Sequence, residues 1–119
     1  LNLTGRVTFL GRVSDGELID LYAGCLGVVY PPYQEDYGFV TVEAFLARKP
    51  VISVTDAGGV LEFLQDGVNG YVATPDPRSL GDAMDRLWDA RHRAGELGAN
   101  GYERVKRITW DCVAAALTG

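Results

Sequence analysis

The sequence predicts an α/β fold built on a doubly wound parallel sheet, and three observations predict it. The short apolar runs Val28-Val29-Tyr30, Val51-Ile52-Ser53-Val54 and Tyr71-Val72-Ala73 have no polar face, as strands covered by helices on both sides require. Segments with helical spacing of apolar residues lie between them, so strand and helix alternate along the chain. Gly27, Pro31, Pro50 and Pro75 stand beside the runs, where such residues end ladders and open turns.

The first expected element is a short strand, Val7-Thr8-Phe9-Leu10, closed by Gly11. Ser14, with Glu17 three residues on, is a capping box. It predicts a helix through about Gly24, with Leu18, Leu21 and Tyr22 as its buried stripe. Leu26 to Tyr30 follows at once as the second strand, which completes a βαβ unit. Pro31 and Pro32 then stop the ladder, and a helix is expected from Gly38 with Phe39, Val42, Phe45 and Leu46 on its sheet-facing side.

Arg48-Lys49-Pro50 breaks that helix, and Val51 to Val54 forms the next strand. Gly58-Gly59 leads into a helix from Val60 to about Gln65. Adjacent glycines allow backbone to come close to a ligand. Glu62 has two readings, a ligand contact or a cap bonded back to the Gly59 amide, and the cap is favoured; Asp56 is expected to orient the loop. Asp66-Gly67-Val68-Asn69-Gly70 is a tight turn with Gly and Asn in left-handed positions. After the strand Tyr71 to Ala73, Thr74-Pro75-Asp76-Pro77 opens a helix carrying Leu80, Met84, Leu87 and Trp88 at core spacing. A further helix covers about 94–108, and Thr109 or Asp111 is expected to cap a last short one through Leu117.

The stretch with the most chemistry is Tyr30 to Phe45. A helix that starts near Gly38 directs its first-turn N–H groups at the carboxyl end of a strand, and both the amides and the dipole favour an anion there. Glu35 precedes that mouth, and Glu43 lies about 7.5 Å along the helix at the standard rise. Helical side chains lean back toward the amino end, so Glu43 reaches toward the mouth. Carboxylates beside a phosphate act as acceptors for hydroxyl groups, and a ligand with a phosphate centre and hydroxylated flanks is a nucleotide sugar.

Composition narrows the classes. The 119 residues leave room for one domain and are 47% hydrophobic and 23% charged, as in a globular chain. The net charge of −5 argues against nucleic acid as a partner. Cys25 and Cys112 lack metal-ligand spacing, and isolated thiols suit a reducing cytoplasm. No signal peptide and no apolar run of membrane-spanning length is visible. His92, between Arg91 and Arg93, is given no catalytic role. A start at Leu1 without Met suggests a processed or excised piece.

Glu35 and Glu43 stand in an E-x7-E relation around Gly38-Phe39-Val40, followed by Lys49-Pro50-Val51-Ile52, Gly58-Gly59 with Glu62, and Asp66-Gly67-Val68-Asn69-Gly70-Tyr71-Val72. In this order and spacing the chain resembles the C-terminal, donor-binding domain of retaining glycosyltransferases of the GT-B fold, family 4 (glycosyl transferases group 1). Trp110 followed by Val113 resembles that domain's closing segment. The resemblance implies a Rossmann-like sheet of about four strands with flanking helices. It further implies that Glu35 holds sugar hydroxyls in the catalytic site. The amides of Gly38, Phe39 and Val40 would hold the sugar end and distal phosphate, Glu43 the ribose hydroxyls, and Arg12 and Val13 the base. For the Arg12 side chain an ordinary exposed turn residue is an equal reading. The implied donor is a nucleotide-diphosphate sugar, with no cofactor and no metal expected.

The resembled domain begins with two further strands, carrying a Gly-Arg turn and a Lys that clamp the diphosphate, and neither they nor the N-terminal acceptor domain are in this sequence. In the strand order 3-2-1-4-5-6 the absent pair belongs between Val7–Leu10 and Leu26–Tyr30. The chain alone is therefore expected to be inactive as a transferase. The open edge of Leu26–Tyr30 needs cover. Val7–Leu10 could pair there within the chain, or a second copy could, by strand exchange or edge-to-edge pairing as a homodimer. The resemblance leaves room for peripheral membrane association of the parent protein. The alternative function is a non-catalytic nucleotide-sugar-binding or interaction module. A receiver domain is disfavoured, since no acidic cluster follows a first strand.

Overall fold

The computed structural model describes residues 5–36 and 38–118, the last twelve of them as helical backbone. Three parallel strands, β1 (Val28–Val29), β2 (Val51–Val54) and β3 (Gly70–Ala73), form one sheet in the order β1-β2-β3. Val28 pairs with Val51, and Val51 with Gly70. Helices α1 (Asp15–Gly24), α2 (Phe39–Leu46), α3 (Pro77–Asp89) and α4 (Ala94–Thr118) flank it. The expected α/β architecture with a parallel sheet is therefore present.

The core is built on β2, whose four residues are all buried. A strand buried at every position is covered on both faces, which accounts for the unbroken run Val51-Ile52-Ser53-Val54. One apolar cluster joins Val51 and Val54 to Phe45 of α2, Val60, Phe63 and Val105 of α4. The other joins Ile52 and Tyr71 to Ala83 and Leu87 of α3 and Leu97 of α4. Ser53 is fully buried and its hydroxyl donates to the Tyr30 carbonyl at 2.7 Å, so the one polar side chain of the strand is satisfied. Arg104 of α4 donates to the Glu62 carbonyl at 2.7 Å, tying the last helix to the loop after β2.

Several expectations change. Val7 to Leu10 does not form a strand: Val7 makes an isolated bridge, and Phe9 is 95% exposed. Nor does this segment join the described sheet, so three strands stand where about four were expected. A β-former run needs cover on its faces to be held in a sheet, and Val7, Phe9 and Leu10 are all exposed. The strand Val28–Val29 is half-buried and exposed rather than sealed, because it is the edge of the described sheet and among the described strands pairs with β2 alone.

Ser14 caps α1 as expected, accepting from the Glu17 amide at 3.2 Å. Of the predicted stripe of α1, Leu18 and Tyr22 are half-buried, with Tyr22 packed against the core, and Leu21 is exposed. In α2 the buried side is Thr41, Ala44 and Phe45, while Phe39 is 65% exposed and Leu46 also faces out. The helix expected from Val60 to Gln65 is a single 3-10 turn, Gly59–Glu62. In the turn after it Gly67 takes a positive φ of 77° as expected. Asn69 instead works through its buried amide, donating to Phe63 O at 2.9 Å and accepting from Gln65 N at 2.8 Å. The last short helix is the continuation of α4; the side chains of Thr109, Trp110, Asp111, Cys112 and Val113 lie outside the described residues.

Candidate functional site

The carboxyl ends of the three strands converge on the loops 30–38, 55–59 and 74–76. Two of these loops are joined as a short parallel ladder. Gln34 N donates to Asp56 O, Glu35 N to Ala57 O at 2.8 Å, and Gly59 N to Glu35 O at 2.6 Å. The pairing explains Gly58-Gly59. A methyl group at Gly58, whose φ is +82°, would sit 2.6 Å from the Glu35 carbonyl, and one at Gly59 would sit 2.6 Å from that of Asp36. The two glycines thus admit the neighbouring loop, where a ligand was expected. The Gly59 amide is engaged with Glu35, so Glu62 does not cap it.

Gly38 is buried and is the N-cap of α2, with no side-chain cap on the helix. The positive end of the α2 dipole therefore lies between the two acids in sequence, at the carboxyl end of the sheet. Val40 is half-buried, and Thr41, in the same first turn, is fully buried with no partner for its hydroxyl among the described residues. At the carboxyl ends of the strands a cleft of about 380 Å³ is lined by Pro31, Pro32, Tyr33, Asp56 and Asp76 among others.

The two acids occupy different surroundings. Glu35 is half-buried on the paired loop, and the phenol of Tyr30 lies against it. Desolvation, with the neighbouring Glu35 carboxylate, holds the Tyr30 phenol above its ordinary pKa. Glu43 lines a second cleft of about 390 Å³ between α1 and α2, together with Asp15, Leu18, Ile19, Tyr22 and Leu46. Its Oε2 accepts from the Tyr22 hydroxyl at 2.9 Å. Burial, and after it this hydrogen bond, push the Tyr22 phenol up to about 12. Arg12 is exposed; Val13 is half-buried and lines a third cleft of about 290 Å³ with Leu10, Glu17 and Leu21.

The sequence anticipated the start of α2 at Gly38 and missed both tyrosines. A Tyr at a half-covered position commonly carries its hydroxyl to a partner, but for Tyr22 that partner lies 21 residues away along the chain. Among the described residues no group of three or more His, Cys, Asp or Glu is gathered as for a metal ion. No described helix is long and apolar enough to cross a membrane.

The family model described as glycosyl transferases group 1 matches residues 1–104. The alpha-1,3/1,6-mannosyltransferase ALG2 of Mus musculus is 38% identical over 104 residues, 87% of this chain and 25% of that protein. A D-inositol 3-phosphate glycosyltransferase of Catenulispora acidiphila is 34% identical over 98% of this chain and 27% of its own length. Among solved structures, sucrose-phosphate synthase from Thermosynechococcus elongatus superposes with a TM-score of 0.87 at 32% identity, over 98% of this chain and 29% of that one. Anabaena HepE in complex with UDP-glucose gives 0.79 at 31% identity, over 99% of this chain and 34% of that one. The chain thus spans between a quarter and about a third of the length of these proteins.

Proposed function

Because the chain belongs to the glycosyl transferases group 1 family, we propose that it is the donor-binding part of a retaining glycosyltransferase of family 4, the C-terminal domain of a GT-B enzyme. The donor is a nucleotide-diphosphate sugar. The observation that carries the reading is the α2 amino terminus, opened by Gly38 without a side-chain cap between Glu35 and Glu43 at the carboxyl end of a parallel sheet. Anabaena HepE, a structural relative solved with UDP and with UDP-glucose, supports it.

In this reading the diphosphate takes the amino end of α2 at Gly38, Phe39 and Val40. Glu35 accepts from the sugar hydroxyls and Glu43 from the ribose, while Arg12 and Val13 border the base. The positive end of the helix stabilises charge that develops on the leaving diphosphate as the glycosidic bond breaks. Neither a metal nor a cofactor has a part in the step. The second substrate is an acceptor hydroxyl presented by a further domain, and the setting is cytoplasmic, in keeping with the free Cys25 thiol.

Calorimetric titration of the chain with UDP-glucose and GDP-mannose, with and without EDTA, tests the reading. One of the two is expected to bind, unchanged by the chelator. Glu35→Ala should weaken the sugar nucleotide roughly tenfold while leaving the bare diphosphate within about twofold, as the loss of one or two charge-assisted hydrogen bonds predicts. Binding that Glu35→Ala leaves intact rejects its role. Absence of binding by both nucleotide sugars rejects the donor site in this chain.

A further inference from the structure

We propose that Tyr22 is a positioning residue that holds the Glu43 carboxylate ready for a ribose hydroxyl. The inference rests on the donor-binding reading above and adds a residue from another element to it. The phenol on α1 donates to Oε2 of Glu43 on α2 at 2.9 Å, across the cleft between the two helices.

Glu43 is otherwise exposed. An exposed glutamate on a helix samples several rotamers, and its carboxylate has no fixed place. The walls of this cleft supply little to fix it, since Leu18, Ile19, Leu46 and Ala47 are apolar. Tyr22 is half-buried, and its ring is packed against the core cluster that contains Phe45. A rigid ring with a single donor is therefore anchored in the core and aimed at one oxygen of the acid. A carboxylate has acceptor sites on two oxygens; the phenol engages Oε2, and Oε1 keeps its capacity for a hydroxyl from the ligand. At neutral pH the phenol is protonated, as its raised pKa requires, so it acts as a constant donor.

The other acid of the pair has a neighbour of the same kind, since Glu35 lies against the phenol of Tyr30. Each carboxylate of the E-x7-E pair thus meets a tyrosine from the preceding part of the chain.

The test is a comparison of UDP and GDP with their 2′-deoxy and 3′-deoxy forms, binding to the full chain and to Tyr22→Phe, Glu43→Ala and the double variant. Circular dichroism melts serve as the control for folding, and Tyr22→Phe keeps the ring and its packing. In the unaltered chain, removal of a ribose hydroxyl is expected to weaken the preferred diphosphate roughly tenfold. In Tyr22→Phe that penalty should shrink to about threefold or less, in Glu43→Ala it should vanish, and the double variant should match Glu43→Ala. A purely structural role for Tyr22 would weaken the ribose and deoxyribose forms alike and leave their ratio unchanged. That ratio surviving in Tyr22→Phe while Glu43→Ala loses it overturns the positioning role alone. Glu43→Ala keeping the ratio overturns the assignment of Glu43 to the ribose, and failure of UDP and GDP alike to bind the unaltered chain overturns the donor site and this inference together.

Discussion

Gly58 sets how closely the loop after β2 approaches the loop that carries Glu35. Its φ of +82°, and the 2.6 Å that would separate a methyl group there from the Glu35 carbonyl, leave no room for a side chain. Gly58→Ala combines a left-handed alanine with a clash against backbone, each costing about 1–3 kcal/mol. A loss of about 3 kcal/mol is expected from urea unfolding, and a change under about 1 kcal/mol would show that the loops part without cost. The sequence marks a close approach at Gly58-Gly59 but carries no sign of what approaches. Glycine reports only the missing side chain, so ligand and neighbouring loop were indistinguishable until the Glu35 backbone was placed. The E-x7-E spacing of Glu35 and Glu43 is local and visible in the sequence, while the Tyr22 contact depends on how α1 lies over α2.

Helix α3 shows an element whose start at Thr74-Pro75-Asp76-Pro77 was written in the sequence and whose capping charge has a consequence. Asp76 accepts from the Thr74 hydroxyl at 2.6 Å and from the Ser79 amide at 2.8 Å. The Thr74 bond first, and then the bonds from Ser79, hold its carboxyl below the ordinary value. A carboxyl whose folded pKa is depressed stabilises the fold above the unfolded value of about 4 and loses that contribution as pH falls through the folded one. Asp76→Asn keeps a capping acceptor but does not titrate. The difference in melting temperature between the native chain and this variant should narrow from about pH 6 to about pH 3, and a constant gap would remove the charge from the explanation. In contrast, α1 was legible as a helix through Ser14 and Glu17, yet how shallowly it sits was not, since Leu18 and Tyr22 are half-buried and Leu21 is exposed. Capping is settled within four residues, whereas burial depends on what lies beneath the helix. The same holds for Val7 to Leu10, whose composition suits a strand that the described sheet does not pair.

At the scale of the molecule, stability is concentrated around β2 and thins toward the amino end. Val51, Ile52, Phe45, Leu97 and Val105 are fully buried, while α1 contributes no buried residue. Amide exchange should follow this gradient, since local opening costs least where few apolar contacts are broken. Amides of β2 are expected to exchange at least roughly tenfold more slowly than those in the middle of α1. Equal protection of the two would mean that α1 is coupled to the core more tightly than its exposure indicates. The parallel order of β1, β2 and β3 was legible because each strand is a continuous apolar run bounded by glycine or proline. The strand count was not, because an edge becomes visible only when neighbours are known.

The paired loops carry a consequence for how such a protein can diversify. At Gly58 and Gly59 even the smallest side chain meets main chain, so mutation offers no graded steps along that seam. Drift that alters what the crevice accepts is channelled to its side-chain-bearing rim, at Tyr33 and Asp56. The frame holding Glu35 stays constant while the rim is free to vary.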